Sequence, residues 1–119
     1  MKDFRQLQVW EKSHKLTLMI YDITASFPKE EMFGLTSQMR RASSSIAANI
    51  AEGCGRGTDA DFARILQIAN GSAREVEYFL ILANDLKYVK ADKHKAAEAQ
   101  ATEVVKMLAS LIRTIKNSA

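Results

Sequence analysis

The sequence predicts an all-α protein, an antiparallel up-and-down four-helix bundle forming a single domain over residues 1–119. Apolar residues recur at three- and four-residue spacing through four separate stretches. Breakers are scarce, with five glycines and one proline in 119 residues, too few for a turn-rich β chain. Hydrophobic residues make up 47% and charged residues 26%, enough for one core and not for two.

The first helix is expected over about residues 6–26, where Val9, Leu16, Met19, Ile20, Ile23 and Phe27 form one stripe. Pro28 stops it, because proline has no N–H to donate and disfavours helix in the residue before it. Phe4 and Trp10 read as core or lid residues.

The second helix enters after Gly34 and closes at Gly53. Leu35, Met39, Ala42, Ile46, Asn49 and Gly53 occupy its heptad row. Between Ala42 and Ala51 nearly every side chain is small or aliphatic, and in place of a polar stripe there are only Ser43, Ser44 and Ser45. That pattern predicts burial on several faces, by the bundle itself or by another copy of the chain. Asn49 is then either a buried register-setting residue or a ligand contact, the first favoured. Glu52, in a last turn where the helix end is negative, calls for a cation, Arg56 or Arg41.

Gly53-Cys54-Gly55-Arg56-Gly57 superficially resembles a phosphate loop. It follows a helix rather than a strand and lacks a subsequent lysine, so it reads as a helix cap with a flexible link. An anion site beside Arg56 stays open, because Thr58 and Asp61 form an approximate capping box there.

The third helix is expected over residues 59–88, with Phe62, Ile65, Ala69, Ser72, Val76, Phe79, Ala83 and Leu86 in heptad register. Gly71 beside Ser72 marks a close crossing by a neighbouring helix, and Arg74, Glu75 and Glu77 can pair with one another. A polar link over 87–93 leads to a fourth helix ending near Lys116. Ala97, Ala101, Val104, Leu108, Leu111 and Ile115 form its seam.

Chemistry-bearing clusters are missing. His14 and His94 stand without a second ligand at helical spacing, so no metal and no cofactor is expected. Ser43 to Ser45 have no nearby base, and Cys54 reads as a plain exposed thiol. We expect no enzyme. No apolar run is long enough for a bilayer, and the N-terminus has no signal core. One cysteine fits a reducing cytoplasm. Net charge is +3 with pI near 9.1, weak support for a nucleic-acid partner. The surplus falls in Arg40, Arg41, Arg56 and the last helix.

Three blocks carry a family resemblance: FPKEE-x-FGLTSQ-x-RRA, NIAEG-x-GR and IA-x-GS-x-RE, in order between about residues 7 and 89. The chain resembles the bacterial four-helix bundle proteins named for intervening sequences in 23S ribosomal RNA. It departs from them at Ala47, where they often carry proline, and at Cys54, where they often carry an aromatic residue. The resemblance implies a cytosolic bundle assembled as a pentameric ring, without catalytic activity. It extends distantly to the accessory variability determinant of diversity-generating retroelements, whose basic ring binds nucleic acid and a reverse transcriptase. This chain is less basic than that group.

Two functions follow as expectations. One is a homo-oligomer that binds structured RNA or a ribonucleoprotein through Arg40, Arg41 and Arg56. The other is a protein–protein scaffold whose partner docks between protomers. Asn49, Glu52, Ser72 and Glu75 are expected to be structural polar residues.

Overall fold

A computed structural model describes residues 3–118. Four helices account for most of them: α1 (Gln8–Thr24), α2 (Leu35–Cys54), α3 (Asp59–Asp85) and α4 (Ala91–Ser118). Short 3₁₀ turns at Phe4–Gln6 and Lys29–Glu31 precede α1 and α2. Each helix packs against its two neighbours in a cycle, α1 on α2, α2 on α3, α3 on α4 and α4 on α1, and among the described residues no diagonal pair of backbones comes as close. Short links between packed neighbours make this the up-and-down bundle. It measures 46 × 23 × 20 Å.

The core follows the apolar stripes. Leu16 and Ile20 of α1, Met39, Ile46 and Ile50 of α2, Leu66 and Leu80 of α3, and Leu108 of α4 are completely or almost completely shielded from solvent. Small polar side chains sit among them and permit close helix approach. Thr17 Oγ1 donates to the Ser43 carbonyl across α1 and α2 at 3.0 Å. The hydroxyls of Ser45 and Ser72 meet at 2.6 Å between α2 and α3. Ser13 satisfies its buried hydroxyl on the Val9 carbonyl at 2.6 Å, as buried polar groups must.

Several boundaries differ from the sequence expectation. α2 runs through Gly53 to Cys54, which is buried rather than exposed. Gly53 is needed because a Cβ there would lie 2.8 Å from the Phe62 ring. α3 ends at Asp85, three residues early, with Lys87 in the left-handed region at φ 63°. Tyr88 N donates to the Ala83 carbonyl and Lys87 N to the Asn84 carbonyl, each at 3.0 Å. This is a Schellman closure made with lysine where glycine is usual.

Asn49 is half-buried, not a core residue. Its amide donates to the Ser45 carbonyl of its own helix at 2.8 Å, and Ile50 takes the core position. A straight helix turns every 3.6 residues, so a strict heptad row drifts by about 20° per seven residues, and Asn49, two heptads after Leu35, comes to the edge of the core. Burial on several faces also fails within one chain, since Ser44 and Ala48 are exposed. Gly71 is exposed as well, and a Cβ there would meet nothing within 4 Å. The crossing helix is α2, and it touches Ser72 instead.

Candidate functional site

Arg40 and Arg41 lie in the first half of α2, at the bundle end that carries the Lys29–Glu31 turn. That turn is firmly placed. Glu31 Oε1 accepts the Leu35 N–H at 3.1 Å, capping α2 at its positive end. Glu31 Oε2 accepts the Tyr88 hydroxyl at 3.1 Å. Gly34 leaves room for this, since a Cβ there would stand 2.9 Å from Glu31 Oε1. The hydrogen bond to Glu31 raises the Tyr88 pKa above the ordinary tyrosine value, with burial and the charges of Glu31 and Glu30 adding to it.

Arg40 is fixed by two contacts with α1. Its Nε donates to Thr24 Oγ1 at 2.9 Å, and its guanidinium carbon sits 4.6 Å from the centre of the Tyr21 ring. Thr24 in turn donates to the Ile20 carbonyl at 2.8 Å. Such a cation–π pair orients the guanidinium without neutralising it. Among the described residues no carboxylate lies within ion-pair distance of Arg40 or Arg41. Both line a groove of about 550 Å³ with Tyr21, Met32 and Phe33. Phe33 is 93% exposed, Met32 57% and Tyr21 45%.

Arg56 is elsewhere. It follows the far end of α2, more than about 20 Å along the axis at 1.5 Å per residue, and it pairs with Glu52 at 2.5 Å. That pairing spends the charge an anion site would use, although Thr58 does cap α3 by accepting the Asp61 N–H at 3.1 Å. Arg56 therefore does not join the other two arginines. Of the remaining polar candidates, Ser72 is buried against Ser45. Glu75 is exposed and lines a shallow hollow together with Arg41 and Phe79, making no ion pair among the described residues. Its neighbours Arg74 and Glu77 pair with each other at 3.6 Å.

Sequence patterning did not single out Tyr21, Met32 or Phe33, because an apolar residue near a helix end looks the same whether it faces core or solvent. Phe4 and Trp10 do form a lid, ring centres 5.1 Å apart, with His14 stacked on Trp10 at 5.2 Å. A wider hollow of about 920 Å³ lies between α3 and α4. Its lining mixes Glu77, Glu98 and Glu103 with Lys95 and Lys106, so it favours neither sign of ligand. Among the described residues no cluster of three or more His, Cys, Asp or Glu side chains could hold a metal ion. No helix there is long and apolar enough to cross a membrane.

The family model for the 23S rRNA-intervening sequence protein matches residues 5–110. The chain belongs to this family. A family match across all four helices agrees with the bundle topology and includes both Arg40 and Arg41. A crystal structure of an S23 ribosomal protein family member of unknown function from Bacteroides thetaiotaomicron is similar, with 31% sequence identity and a TM-score of 0.78. The similarity covers 87% of this chain and 97% of that one. No functionally curated protein matches.

Proposed function

We propose that this 23S rRNA-intervening sequence protein is a non-enzymatic cytoplasmic homo-oligomer, a ring of five, that binds structured RNA or a ribonucleoprotein. The observation that carries the reading is the pair Arg40 and Arg41, adjacent at one bundle end and without carboxylate partners among the described residues. Lys29, Lys87 and Lys90 lie near the same end and also lack ion pairs there. Repetition around a closed ring multiplies a charge that is faint in one chain. Arg56, engaged by Glu52, is left out of the contact.

A second reading, a scaffold that docks a protein partner between protomers, draws on a different surface. The outer faces of α2 and α3 expose Ala48, Ile68, Gly71 and Tyr78, a strip of small and apolar residues interrupted by Arg74 and Glu75. The same strip serves self-association, so it supports the ring in either reading.

Light scattering and RNA affinity over a salt series test both. The first reading requires a mass above the monomer and affinity falling with salt, by about 0.7–0.9 in log–log slope per phosphate contact. An oligomer with no salt-dependent RNA binding leaves the scaffold. A monomer, unchanged in mass and stability by Ala48→Glu, removes the ring.

A further inference from the structure

Phe33 presents the most exposed large apolar side chain of the described residues, at 93%. It is not on a loose segment. Glu31, two residues before it, holds both the Leu35 N–H and the Tyr88 hydroxyl, and α2 begins two residues after it. The ring therefore projects from a turn anchored on both sides, and the chain's own core makes no use of it. Beside it are two guanidinium groups without an ion pair among the described residues, one of them already oriented by Thr24 and Tyr21 and the other sharing a hollow on its far side with Glu75.

We propose that Phe33, with Met32, Arg40 and Arg41, forms a site for an unpaired nucleotide segment, the base stacked on the Phe33 ring and the flanking phosphates on the two arginines. This rests on the RNA reading above and narrows it to single-stranded elements. The charge complementarity is direct: a flat apolar ring and unpaired cations on one groove match an aromatic base carried between anionic phosphates. A base inside a duplex is covered on both faces by its neighbours and cannot offer that surface, whereas a base in a loop or bulge can. Arginine also recognises phosphate by paired donors, which its planar fork supplies.

The test compares the full-length protein with Phe33→Ala, Phe33→Trp and the double variant Arg40→Ala/Arg41→Ala. The probes are a short single-stranded RNA of mixed sequence and the same strand annealed to its complement. The site predicts tighter binding of the single strand, and loss of about five- to 150-fold in Phe33→Ala, the range for one stacked base. Phe33→Trp should retain affinity, and its added emission, read against the Trp10 background, should be quenched by the single strand. Equal single-strand affinity in Phe33→Ala and the parent, with loss in the arginine variant, overturns the stacking site and leaves the phosphate reading standing. No RNA binding by any form removes both. A change of assembly mass in Phe33→Ala without quenching in Phe33→Trp makes the ring a contact between protein chains, and the site falls.

Discussion

Tyr88 and Glu31, 57 positions apart, share a hydrogen bond at 3.1 Å that ties the link after α3 to the turn before α2. The Tyr88 ring also packs on Phe27, ring centres 5.3 Å apart. Because the bond raises the tyrosine pKa, its stabilising contribution is fully present below the ordinary tyrosine value of about 10. It is lost as pH rises through the higher folded value. In an absorbance titration, Tyr88 should therefore ionise above the ordinary tyrosine value. Tyr88→Phe should remove the late step and lower the thermal midpoint at neutral pH. A Tyr88 step at the ordinary tyrosine value would show that the bond does not persist in solution.

Gly53→Ala should destabilise by about 1–3 kcal/mol, the usual cost of forcing extra volume into a packed core. The added methyl would meet the Phe62 ring at 2.8 Å. Denaturant midpoints measure it, and Phe62→Leu in the same chain should recover part of the loss.

Lys87→Gly should stabilise by up to about 1–2 kcal/mol, because a left-handed conformation costs an L-residue that much and glycine almost nothing. Thermal unfolding gives the answer. A decrease would mean that the lysine side chain contributes more than its backbone strain costs.

Gly71→Ala separates the single chain from the assembly. In an isolated bundle the methyl meets open space, so it should add about 1 kcal/mol of helix stability. If another copy packs on the outer face of α3, the same change should reduce the assembled mass at low micromolar concentration. Scattering and calorimetry on one sample distinguish the two outcomes.

Much of this architecture was legible in the residues themselves. Periodicity placed four helices, and Thr58 with Asp61 marked the start of the third, because these signals act within one or two turns of the chain; the first helix stops at Thr24, ahead of the end expected from Pro28. The pairing demanded of Glu52 was local too, being answered by Arg56 four residues on. Arg40 and Arg41 were identifiable as surplus charge, and their separation from Arg56 follows from the length already expected for α2.

What the tertiary structure decided is what depends on neighbours. The heptad row made Asn49 equivalent to Ile46, and only the rotation of α2 against α1 and α3 moved it to the edge and brought Ile50 inside. The end of α3 carried no glycine, because Tyr88 docked on Phe27 and Glu31 holds Lys87 in a conformation that lysine does not favour alone. Exposure was the least readable property of all. Phe33 and Phe27 flank the same short turn and have the same chemistry, yet one is 93% exposed and the other 8%. Hydrophobicity fixes what a side chain gains by burial, and the packing of the whole bundle determines whether there is anything to bury it against.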